Sequence, residues 1–135
     1  KPFLVDDSHN ISISHSEHYT SVILCKSNHN VGIDIEKMKP KIEHIAHKFL
    51  NDEELSNIYS NQKIYHLYIH WCAKEALYKL CDKKQISFKQ NITIEPFIPE
   101  ESGIIYGKVK NEDIDIRVKL NYFHLENFSF VWGYK

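Results

Sequence analysis

Two short β-rich runs, Ile11 with Ile13 and then Val22-Ile23-Leu24, flank the polar stretch Ser16-Glu17-His18, which predicts a hairpin. After a turn at Asn28-His29-Asn30, Val31, Ile33 and Ile35 alternate with Gly32, Asp34 and Glu36. That is the period-two signature of a strand with one apolar and one polar face. Three antiparallel strands in succession are expected here.

The period then changes. Past Pro40, the residues Ile42, Ile45, Ala46, Phe49 and Leu50 recur at the spacing of a buried helical stripe, predicting a helix over about 41–50. Asn51-Asp52-Glu53-Glu54 has the form of a capping box and opens a short second helix through Leu55 and Ile58. From Gln62 to Leu80 there is no Gly or Pro, and Ile64, Leu67, Tyr68, Trp71, Leu77, Tyr78 and Leu80 suit one long helix. Beyond Lys83-Lys84 the β pattern returns, with strands expected at 92–94, 103–109, 114–120 and 128–134, and turns at Asn111-Glu112-Asp113 and Leu125-Glu126-Asn127. Strands, helices, then strands, with no repeat or flexible linker, predict one α+β domain over residues 1–135, an antiparallel sheet packed on a long helix.

Composition narrows the function. The net charge of −1 provides no chain-wide positive field, so neither nucleic acid nor a membrane surface is an expected partner. The longest apolar runs fall far short of the roughly 18 residues of a membrane span, and nothing at the start reads as a signal peptide. The three cysteines are odd in number and form no Cys-x-x-Cys pair, which fits a reducing, cytoplasmic setting.

The candidate chemistry is acidic. On a strand, Asp34 and Glu36 point to the same face, an arrangement that suits two solvated charges or a hard cation held between them. On the long helix, Glu75 falls within the stripe of Ile64, Tyr68, Trp71 and Tyr78. A carboxylate there needs compensation, from Lys79 one turn later or from a metal. Glu54 reads as part of a helix cap, and His15 as a solvent-facing strand residue. His66 and His70 share a helical face, but no Glu occupies the position a His-Glu-x-x-His zinc motif requires.

Val31-Gly32-Ile33-Asp34-Ile35-Glu36, followed about 35 residues later by Trp71-Cys72-Ala73-Lys74-Glu75-Ala76-Leu77-Tyr78-Lys79, resembles the paired signature of the 4′-phosphopantetheinyl transferases. Lys1-Pro2 and Ile11-Ser12-Ile13-Ser14-His15-Ser16 resemble the two segments that precede it in the larger, surfactin-synthetase-activating type. The resemblance implies a Mg2+-dependent enzyme. It would move the phosphopantetheine arm of coenzyme A to a serine of an acyl or peptidyl carrier protein and leave adenosine 3′,5′-bisphosphate. It implies Asp34, Glu36 and Glu75 as metal ligands, with the ion between strand and helix, and Lys79 as a phosphate contact. Ser14 and His15 would form a phosphate-binding pair, Lys1-Pro2 would lie beside the adenine, and Glu54 would help deprotonate the serine.

The chain has the length of the family's short, trimeric form and the motif order of its long, two-lobed form. The basic residues that grip the 3′-phosphate of coenzyme A are therefore expected from an upstream lobe or from a second copy in a homo-oligomer. The stretch from Cys81 to Ile86 also lacks the glycines common after the family's long helix. A non-catalytic relative that binds coenzyme A or a carrier protein, and a Mg2+-dependent phosphohydrolase, are the competing readings.

Overall fold

The computed structural model describes residues 3–82 and 85–135. Strands β1 (His9–Ser16) and β2 (Tyr19–Lys26) form a hairpin; β3 (Val31–Lys37) follows. Helices α1 (Ile42–Phe49) and α2 (Asp52–Ser56), a 3-10 turn at Ser60–Gln62 and the long α3 (Lys63–Cys81) come next. Strands β4 (Ile92–Ile94), β5 (Ser102–Lys110), β6 (Asp115–Leu125) and β7 (Phe128–Tyr134) complete an α+β domain. The order of the five-stranded antiparallel sheet is β3-β7-β6-β5-β4.

One face of that sheet packs on α3. Val131, Leu120, Val118 and Val109 meet Ile69, Ala73, Ala76 and Leu77, all of them buried. On its other side α3 takes Ile42, Ala46 and Phe49 of α1 against Leu67 and Tyr68. Being buried on two sides, α3 tolerates few solvated positions, and eleven of its nineteen residues are buried. Its C-cap, Asp82, adopts the left-handed conformation at φ 51°, a place where glycine is usual, and its N–H reaches the Tyr78 carbonyl.

The expectation of three successive antiparallel strands needs correction. β3 pairs not with β2 but with β7 at the far end of the chain, in register from Val31↔Tyr134 to Lys37↔Phe128. β1 and β2 form their own two-stranded sheet. The reason lies on β1, whose inward residues Ser12 and Ser14 are spaced as the free N–H groups along the open edge of β3. Ser12 Oγ accepts from Ile33 N at 3.1 Å and Ser14 Oγ from Ile35 N at 3.0 Å. Side-chain hydroxyls thus satisfy the edge that a backbone ladder would otherwise take. Tyr19 clamps the hairpin from above, edge-on to Phe128 and Phe130. β6 also runs to Leu125, five residues past its expected end, because Tyr122 and Phe123 continue the in-and-out alternation beyond Asn121.

Candidate active site

Asp34 sits mid-strand on the α3 side of the sheet, and burial pushes its carboxyl up to about 7; the Lys79 charge opposes this, and Glu36 and Glu75 add to it. Burial also raises Glu36, with the Trp71 side chain acting against it. Glu75, half-buried on α3, is raised by burial, with Lys79 lowering it and Glu36 raising it again. Two carboxylates from a strand and one from the facing helix therefore share one electrostatic environment. Among the described residues, no three His, Cys, Asp or Glu side chains stand close enough together to hold a metal ion as they are. The carboxylates gather without closing on a point.

The two oxygens of Asp34 differ. Oδ1 accepts from the Ser14 hydroxyl at 3.2 Å and from Lys79 Nζ at 3.4 Å. Among the described residues, Oδ2 is buried with no hydrogen-bond partner, a costly state for a carboxylate oxygen. The buried Cys72 thiol lies near enough that burial and the Asp34 charge push it well above the usual thiol range. Lys79 does not take Glu75 as its ion-pair partner. Its ammonium donates to Ile33 O at 2.8 Å and Ile13 O at 3.2 Å besides Asp34. A groove of about 190 Å³ lined by Glu36, Lys41, Ile42, Ile45, Tyr68 and Trp71 opens beside the cluster.

Two expected members lie elsewhere. His15 follows Ser14 along β1 and so faces away from the cluster, exposed on the outer side of the hairpin opposite Thr20. Glu54 is buried against Lys74 at 2.8 Å, with Oε1 also accepting from Asn51 N and Oε2 from Ile94 N. Its capping box with Asn51 is complete. Both Glu54 oxygens are therefore engaged inside the protein. Lys1 and Pro2 lie outside the described residues.

The Lys74–Glu54 pair is a feature that sequence reasoning missed. Lys74 also donates to the carbonyls of Phe49, Phe88 and Ile92, so one ammonium ties α1, α2, α3 and β4 together. The available signal was its place on α3, one and two turns from Leu67, Leu77 and Cys81, on a helical face with no solvent-facing residue. The His66 and His70 rings lie side by side, buried on α3. His66 Nδ1 accepts the Tyr59 N–H at 3.1 Å, which leaves the ring proton on Nε2 and no lone pair there for a metal. Burial lowers both imidazoles to about 4.

The sequence model of one protein family, the 4′-phosphopantetheinyl transferase superfamily, matches residues 30–131, the segment carrying Asp34, Glu36, Glu75 and Lys79. The chain is 30% identical over 119 residues to the 4′-phosphopantetheinyl transferase gsp of Aneurinibacillus migulanus, covering 86% of this chain and 48% of that protein. It is 37% identical over 86 residues to the 4′-phosphopantetheinyl transferase ffp of Bacillus subtilis, covering 58% of this chain and 36% of that protein. The chain thus spans about half the length, or less, of the curated relatives it matches. On the strength of that family match, the chain belongs to the 4′-phosphopantetheinyl transferase superfamily.

Proposed function

We propose that this chain carries the cation-binding half of a transferase that moves the 4′-phosphopantetheine arm of coenzyme A to a serine of an acyl or peptidyl carrier protein. The observation that carries the reading is Asp34 Oδ2, a buried carboxylate oxygen without a hydrogen-bond partner among the described residues, in an environment shared with Glu36 and Glu75. Three oxygen-donor side chains, each driven toward protonation by burial, suit a hard divalent cation such as Mg2+ better than they suit one another. Bound there, Mg2+ would supply the positive charge that offsets the charge developing on phosphate oxygens.

The chain's own residues then divide the work. Asp34, Glu36 and Glu75 hold the cation. Lys79, about one-third exposed at the rim, brings an ammonium toward the phosphates. Ser14 orients Asp34 through its hydroxyl. His15 is available to a phosphate that lies against the outer face of the hairpin, and Lys1-Pro2 is assigned to the adenine by the family pattern alone. Glu54 keeps Lys74 charged and in place. In the reaction, the serine oxygen bonds to the β-phosphorus as the bond from that phosphorus to the bridging oxygen breaks; adenosine 3′,5′-bisphosphate leaves with the bridging oxygen, and the serine proton passes to water.

The rest of the coenzyme A cradle would come from outside these residues, from an upstream lobe or from a second copy. Cys25 and Cys72 are free thiols, which suits the cytoplasm, where the two substrates would be met.

The test is mass spectrometry of an apo carrier protein incubated with this protein, coenzyme A and Mg2+. A gain equal to one phosphopantetheine arm, lost when Mg2+ is chelated, supports the proposal. Binding of coenzyme A or carrier without the mass gain would make the protein a non-catalytic relative. Cleavage of coenzyme A with no carrier present would make it a phosphohydrolase.

A further inference from the structure

Lys79 spends its ammonium inside the protein. Its three bonds go to the carbonyl of Ile33 on β3, the carbonyl of Ile13 on β1 and Oδ1 of Asp34. Among the described residues it is the cation paired with the cluster's most buried carboxylate, and it is also a tie between the β1–β2 hairpin and the sheet. Further stitches across the β1–β3 seam are the Ser12 and Ser14 hydroxyls, and Ser14 also donates to that same oxygen of Asp34. The charge on Asp34 and the docking of the hairpin therefore meet at one atom.

Resting on the divalent-ion reading above, we infer that Lys79 is a resident counter-ion which the incoming cation displaces, freeing its ammonium for the phosphates and loosening the β1–β3 seam. A divalent ion entering on the bare Oδ2 brings two positive charges toward an ammonium already 3.4 Å from Oδ1. Two cations that close in a half-buried site repel by more than the ammonium's exposed position costs it. The ammonium swings outward, as a long flexible stem allows. Ordered linkage follows: cation binding and hairpin docking oppose each other by the same factor.

The probe is Mn2+, followed by electron paramagnetic resonance on the full chain, with Lys79→Met removing the charge and Lys79→Arg keeping it. Lys79→Met is expected to bind Mn2+ about tenfold more tightly than the unchanged protein, and Lys79→Arg within about twofold of it. A second readout needs no variant. Amide hydrogen exchange at Ile33 and Ile35, whose N–H groups the Ser12 and Ser14 hydroxyls hold, should speed up several-fold when saturating Mg2+ is added. Equal Mn2+ affinity in all three proteins, weaker binding in Lys79→Met, or unchanged exchange would overturn this inference while leaving the divalent site standing. Failure of every form to bind Mn2+ would remove both.

Discussion

Gly32 lies against Ala76 so closely that a β-carbon placed on the glycine would stand 1.9 Å from the Ala76 carbonyl oxygen. The obstacle is helix backbone, which cannot swing aside. The glycine of the Val-Gly-Ile-Asp segment is therefore what lets β3 approach α3, and that approach brings Asp34 within range of Glu75. Gly32→Ala should cost about 3 kcal/mol, at the upper end for overpacking in a close-packed interior, and should separate the strand carboxylates from the helix one. Urea denaturation measures the first effect; loss of divalent-ion affinity reports the second.

Asp34→Ala and Glu75→Ala should each reduce transfer to a carrier protein at least about a hundredfold, since each removes a proposed ligand and a charge. Far-ultraviolet circular dichroism should be unchanged, because neither side chain belongs to the apolar clusters that hold the fold. Retained activity in either variant, measured as carrier mass gain, would remove that residue from the site.

The raised Asp34 carboxyl makes a signed prediction about pH. A group that titrates at about 7 when folded, against an ordinary 3.8, binds its proton more tightly in the native state. Its stabilising effect is complete below the unfolded value and is lost as pH rises toward 7. Glu36 and Glu75, also raised, act in the same direction. In chelator, the melting temperature should fall between pH 5 and pH 8, and Asp34→Asn should flatten that fall. Mg2+ should restore the melting temperature at pH 8 and do little at pH 5.

Glu54 offers a contrast between two kinds of acid. It is bonded to Lys74, Asn51 and Ile94, so Glu54→Ala leaves a fully buried ammonium without its counter-ion. Removing one partner of such a pair costs about 3–5 kcal/mol. Thermal unfolding should show this loss, and transfer by whatever protein remains folded should fall far less than in the Asp34 variant. A fully stable Glu54→Ala protein with no activity would return Glu54 to the role of base.

What could be read from the chain beforehand follows from locality. The alternation in β3, the unbroken α3 and the Asn51–Glu54 box depend on neighbours within a few residues, and each is found where its pattern lies. Spacing could group Asp34 with Glu36 on one strand face and Glu75 with Lys79 on one helix stripe, while the meeting of strand and helix was implied by the family resemblance. The partner of β3 was not legible, since β7 lies about a hundred residues away and two serine hydroxyls, rather than a ladder, occupy the near edge. Nor was the Lys74–Glu54 pair, which joins elements whose packing decides it. His15 was joined to Ser14 by the family resemblance alone, and adjacent side chains on a strand go to opposite sides.

The most direct measurement is an anomalous-scattering map from crystals of the protein grown with Mn2+. The account predicts one strong peak between β3 and α3, bounded by a carboxylate oxygen from each of Asp34, Glu36 and Glu75. A peak that omits Glu75, or none there at saturating Mn2+, would contradict it.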